Sequence, residues 1–103
     1  MSNTSSFGLT TEVWQEIVTV LNRYPLKRAV IYGSRAKGNY SDNSDIDIAI
    51  WTDDTDIKYQ LRTDLDEIVK TACKFDVVDF KRLDSEKLRE NILREGIEIL
   101  TLP

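Results

Sequence analysis

Three short stretches of the chain carry side chains whose type and spacing suit chemistry: Gly33-Ser34, Asp45-x-Asp47, and the pair Asp76 and Asp79. Gly33-Ser34 closes the apolar run Arg28 to Tyr32, and ten residues separate it from Asp45, which opens the run DIDIAIW. Two carboxylates two apart at the start of a strand lie on one face, where they repel each other and give up hydration. A cation between them is the simplest compensation. With oxygen donors alone and no histidine or cysteine beside them, the ion is Mg²⁺ or Mn²⁺ rather than zinc. The stretch FDVVDF offers a third carboxylate in a neighbouring strand. Period two places Asp76 with Val78 and Phe80, and Asp79 with Phe75 and Val77, so periodicity alone leaves open which one meets Asp45 and Asp47. Taken singly, a glycine after a strand marks a tight turn and a strand-end acid is a solvated one. The combination is what points to chemistry.

These residues need elements to hold them. Val13, Trp14, Ile17, Val18, Val20, Leu21 and Tyr24 recur at helical spacing over Thr11 to Tyr24, with Thr10 or Thr11 as cap and Pro25 as stop. Arg28 to Tyr32 reads as a buried strand, Ser34 to Asn43 as a loop or one helical turn, and Asp45 to Trp51 as a second strand. A stripe of Ile57, Leu61, Leu65, Ile68, Val69 and Ala72 predicts a long helix over Asp54 to Cys73. Phe75 to Phe80 is a third strand, Asp84 to Glu95 a helix ended by Gly96, and Ile97 to Leu102 a fourth strand. This order predicts an α/β (α+β) fold, a small mixed β-sheet flanked by helices.

With 103 residues, 41% of them hydrophobic, the chain supports one core, expected over residues 9–103 after a flexible lead-in at residues 1–8. A charged fraction of 31% fits a soluble globular protein and no membrane protein, and no apolar run is long enough to span a bilayer. Eighteen acidic against fourteen basic residues, a net charge of -4, exclude general nucleic-acid binding. The absence of histidine removes Ser-His-Asp and Cys-His catalysis and histidine general bases. A single cysteine, Cys73, forms no internal disulfide, and the start of the chain has no signal-peptide pattern, so a cytoplasmic location is expected. Cys73 itself reads as a small half-buried hydrophobe. Trp14 and Trp51 read as core, Trp51 at the end of the strand that carries the aspartates.

The pattern GSRAKGNYSDNSDIDIAI, followed by FDVVDF, resembles the polymerase β-type nucleotidyltransferase superfamily, whose hallmark is Gly-Ser, ten residues, Asp-x-Asp. In length the chain is similar to the minimal nucleotidyltransferases of that superfamily. The resemblance runs from about Val30 to Phe80. It implies the palm-like nucleotidyltransferase fold, and it favours Asp76 over Asp79, because Phe75-Asp76-Val77-Val78 matches the family's hydrophobic-Asp-hydrophobic-hydrophobic strand. It further implies that Asp45, Asp47 and Asp76 hold two Mg²⁺ ions, about 4 Å apart in such sites, or Mn²⁺ in their place. Gly33 then admits the triphosphate of ATP or another NTP and the Ser34 hydroxyl bonds a phosphate oxygen. Arg35 and Lys37 in the same loop are candidates for cationic contacts, with a solvated surface charge as the alternative for each. Asp76 would take the proton of the acceptor hydroxyl.

The expected reaction is transfer of a nucleoside monophosphate, AMP from ATP, to a hydroxyl. With no acceptor-binding domain expected, the acceptor falls to a partner. Minimal members of the family pair with a small helical HEPN-type protein and act as antitoxins that adenylylate one of its tyrosines. The rival readings are a non-catalytic antitoxin that binds its partner by contact alone, against which the intact acidic triad argues, and a nucleotidyltransferase acting on a small molecule. Self-association is left open. A P-loop is excluded by Asn39-Tyr40 where Lys-[Ser/Thr] belongs, and a calcium loop by Ile48 where a glycine is needed.

Overall fold

Ile46, Ile48 and Ile50 alternate with Asp47, Ala49 and Trp51, and this period-two pattern makes an interior strand of the sheet. In the computed structural model, which describes residues 6–99, the strands are β1 (Arg28–Tyr32), β2 (Ile46–Trp51), β3 (Phe75–Asp79) and β4 (Ile97–Glu98). The order across the sheet is β3-β2-β1-β4, with β2 antiparallel to β1, parallel to β3, and β4 antiparallel to β1. The three isoleucines are fully buried. Each contributes about 1.5 to 3 kcal/mol, against about 0.2 to 1 kcal/mol for a cross-strand polar pair, so the apolar face decides the register. A slip by one residue would turn Asp47 into the apolar core and the three isoleucines out of it.

That apolar face is covered by α1 (Thr11–Leu21) and α3 (Ile57–Ile68), which send Ile17, Val20, Leu21, Leu61 and Leu65 into one core with Ile31 and Val77. The opposite face carries a smaller core of Val30, Tyr32, Ala49, Phe80 and Ile92, closed by α4 (Glu86–Glu95). A one-turn helix, α2 (Ser34–Lys37), follows β1. Thr10 caps α1 through Val13 N at 3.1 Å, and Ser85 caps α4 through Leu88 N at 3.2 Å. The mixed sheet and its flanking helices agree with the sequence reading.

Several boundaries differ from it. The first helix ends at Leu21, three residues before Tyr24, where Asn22 caps it with its N–H on Val18 O. The third helix is shorter than Asp54 to Cys73 at both ends. Asp54 accepts from Asp56 N in a local turn, and Val69, extended at ψ 122°, ends the helix, leaving Ala72 exposed outside it. Phe80 leaves the strand for a 3₁₀ turn, Phe80–Arg82. Residues 1–5 and 100–103 lie outside the described ones, and with them most of the expected lead-in and the end of the expected fourth strand. Phe7, within the expected lead-in, packs on Trp14 at 5.3 Å between ring centroids.

Candidate active site

The register that buries the isoleucines lines up three polar side chains on the other face of the sheet. Tyr32 of β1 lies opposite Asp47 of β2, and Asp47 lies opposite Asp76 of β3. Asp45 sits on the exposed residue just before β2, on the same side by period two. Tyr32 leads directly into Gly33. The row therefore forms an open shelf at one end of the sheet, with Asp45 and Asp76 exposed and Asp47 half-buried between them.

Its electrostatics are those of uncompensated acids. Burial first, then the charges of Asp76 and Asp45, push the Asp47 carboxyl up to about 6, while Arg35 pulls it back in part. Burial, Asp76 and Asp47 likewise raise the Tyr32 phenol above its ordinary value, which keeps it a neutral donor. From the sequence, Tyr32 reads only as the end of a buried strand. Its place beside Asp47 depends on the antiparallel register of β1, which no local pattern reveals.

Gly33 links this row to the following loop. It adopts φ 76° and ψ -155°, a conformation essentially reserved for glycine, and a Cβ there would run into the Asp47 carboxylate. The Ser34 carbonyl accepts from Gly38 N at 2.9 Å and Asn39 N at 3.2 Å, and Gly38 ends the turn at φ 87°. The Asp47 carboxylate thus fills the space that a side chain at Gly33 would need.

The two basic residues of the loop part company. Lys37 is exposed and lies 3.7 Å from Glu95 at the end of α4. Arg35 is turned inward and only 2% exposed, its guanidinium spent on the carbonyls of Phe7, Asp42 and Ser44 and on the Cys73 thiol. The structure does not bring it to the open side of the loop, where a cationic contact with phosphate was expected. The physical reason is the ring of carbonyls, which offers a buried guanidinium the acceptors that water would otherwise supply.

Asp79 is buried on the isoleucine side of the sheet and pairs with Arg82 Nη1 at 2.6 Å, and its Oδ1 has no partner among the described residues. It does not join Asp45 and Asp47. A hollow of about 370 Å³ on α1, lined by Glu12, Gln15, Glu16, Thr19 and Ile68, belongs to that same side and holds none of the site residues.

The donor set suits a hard divalent ion. Asp45, Asp47 and Asp76 supply carboxylate oxygens only, and Asp47 sits where extra positive charge would relieve crowding. Among the described residues no three ligating side chains are drawn together tightly enough to enclose an ion by themselves. Mg²⁺ needs no such cage: it is usually held by one or two carboxylates together with substrate phosphates.

Comparison with known proteins bears on the fold and the family. The family model described as polymerase beta, nucleotidyltransferase, matches residues 15–102. A provisionally named protein adenylyltransferase of Methanocaldococcus jannaschii is 34% identical over 80 residues, 69% of this chain and 75% of that protein. Among solved structures, a toxin–antitoxin assembly with AMP-PNP superposes with a TM-score of 0.70 at 23% identity, over 86% of this chain and 73% of the other. An assembly of a tri-AMPylated Shewanella oneidensis HEPN toxin with its MNT antitoxin gives 0.63 at 20% identity, over 87% and 71%. Those two likenesses establish the fold. The match of the family model over most of the chain and the 34% identical relative go further: the chain belongs to the polymerase β nucleotidyltransferase family.

Proposed function

We propose that this nucleotidyltransferase moves AMP from ATP onto a hydroxyl of a partner protein, a small helical HEPN-type toxin, and so acts as an antitoxin. The observation that carries the reading is the row Tyr32, Asp47, Asp76 in register beside Gly33, with Asp45 at its open edge. The toxin–antitoxin neighbours, one with AMP-PNP and one with an AMPylated toxin, and the adenylyltransferase relative support the choice of nucleotide and acceptor.

Asp45, Asp47 and Asp76 would hold Mg²⁺, which when bound supplies neutralisation of phosphate charge and a more acidic acceptor hydroxyl. The chain's own residues do the rest. Gly33, lacking a Cβ, lets the triphosphate lie against the backbone at the end of β1, and the Ser34 hydroxyl donates to a phosphate oxygen. The acceptor oxygen attacks the α-phosphorus, the new O–P bond forms as the bond to pyrophosphate breaks, and the Asp76 carboxylate takes the hydroxyl proton. Asp76 suits that role because it is exposed, within reach of a substrate arriving from solution. Lys37, exposed on the same loop, remains a candidate for phosphate contact once it leaves Glu95. Residues 9–103 are taken as one catalytic domain that works in the cytoplasm.

Intact-mass spectrometry of a HEPN-type partner encoded beside this chain tests the proposal. Incubation with ATP and Mg²⁺ should raise the partner's mass by AMP, and an Asp45→Ala, Asp47→Ala double variant should leave it unchanged. Efficient transfer to a small alcohol with no partner present would overturn the choice of acceptor.

A further inference from the structure

Arg35 is the most deeply buried basic residue described, and all three nitrogens of its guanidinium are occupied. Nε donates to Ser44 O at 3.2 Å, and Nη1 donates to Phe7 O at 2.9 Å. Nη2 donates to Asp42 O at 3.2 Å, to Ser44 O at 3.0 Å and to Cys73 Sγ at 3.3 Å. The Cys73 thiol in turn donates to Asp42 O at 3.3 Å. Ser44 is the residue before Asp45, Cys73 lies three before Asp76, and Arg35 itself follows Gly33-Ser34. One side chain thus reaches from the phosphate loop to the entrances of both strands that carry the carboxylates. The two entrances also meet directly, Ile46 N donating to Lys74 O at 2.8 Å.

We propose that Arg35, anchored beside Gly33-Ser34, is a positioning residue, which fixes Asp45 and Asp76 relative to one another, and that it is not a ligand of the nucleotide. The chemistry of arginine suits the task. A planar fork of five donors can satisfy several diverging carbonyls at once, whereas the three donors of a lysine radiate from a single nitrogen. Neutral carbonyls satisfy the donors without cancelling the charge, and among the described residues no carboxylate is paired with Arg35. To touch a phosphate the guanidinium would have to leave its acceptors and uncover them. The inference rests on the reading of Asp45, Asp47 and Asp76 as the working carboxylates.

Arg35→Lys and Arg35→Gln test it, with three measurements on the full chain. Hydrogen exchange followed by mass spectrometry should show residues 42–46 and 73–76 exchanging at least tenfold faster in both variants. ATP binding without divalent metal should stay within twofold of wild type. In AMP transfer to the partner, kcat should fall at least tenfold while KM for ATP changes less than threefold. A tenfold loss of metal-free ATP affinity with unchanged exchange would make Arg35 a phosphate ligand and overturn the proposal. If Arg35→Gln fails to fold, Arg35→Lys decides. If neither folds, the wild-type Arg35 Nε–H resonance decides: protection from solvent with and without ATP supports positioning, and a large shift on adding metal-free ATP overturns it. A wild-type chain that transfers no AMP refutes the proposed function, while the exchange result still decides the role of Arg35.

Discussion

A carboxyl that ionises at about 6 in the folded chain and near 3.9 in the unfolded one opposes folding in its ionised form, and Asp47 is such a group. Between those values the folded state binds more protons, so stability falls as pH rises through the window and the full penalty is present above it. The displacement corresponds to at most about 3 kcal/mol, and screening at an open shelf reduces it to about 1 to 2 kcal/mol. Asp47→Asn should therefore raise the Tm of the metal-free chain at pH 7.5, by roughly 4 to 8 °C for each kcal/mol, and the gain should be gone by pH 4. Thermal scans at the two pH values check this. Adding Mg²⁺ at pH 7.5 should raise the Tm of the wild type and leave the variant unmoved, and equal responses would remove Asp47 from the metal site. At this scale the placement of Asp45 and Asp47 on one face was legible because their spacing is local. The placement of Asp76 beside Asp47 needed the parallel register of β2 and β3, which the residues alone left open and the family pattern anticipated. The inward turn of Arg35 was not legible, because its acceptors are backbone carbonyls up to 28 residues away.

The turn from β1 into α2 is the element on which the phosphate reading depends. Gly33→Ala should cost about 1 to 3 kcal/mol from backbone conformation alone and should also displace Asp47, so both urea stability and ATP affinity should fall. Gly38→Ala is the contrast: φ is 87° there but the space is open, so stability should drop by about 1 to 2 kcal/mol with nucleotide affinity kept. Ser34→Ala should weaken ATP binding by about 1.5 to 3 kcal/mol, roughly tenfold to a hundredfold, in a calorimetric titration. Equal losses in the two glycine variants would place the phosphates away from Gly33. The strands and caps of this region were readable from period and residue type, since β-branched runs and Ser or Thr before an apolar stripe act locally. The helix ends were not, because the stripe continues past Ile68 to Val69, which is still buried but extended.

In the whole molecule the two cores divide the labour. The isoleucine face, with α1 and α3, holds the sheet together, and the smaller core under α4 leaves the carboxylate end of the other face open. The open shelf suits the proposed delivery of an acceptor by a partner protein, and a net charge of -4 favours a neutral or basic surface on that partner over a polyphosphate chain. No helix among the described residues is long and apolar enough to cross a membrane. Nucleotide transfer through Asp45, Asp47 and Asp76 is the central claim, and following the fate of each phosphate tests it most directly. ATP radiolabelled at the α-phosphate, incubated with the chain, Mg²⁺ and the HEPN-type partner, should leave its label on the partner, while label at the γ-phosphate should leave as pyrophosphate. Asp47→Asn and Asp76→Asn should each abolish the α-label, and Asp79→Asn, tested at a temperature where it stays folded, should retain it. Transfer of the γ-label to protein, or α-labelling that survives Asp47→Asn and Asp76→Asn, would contradict the account.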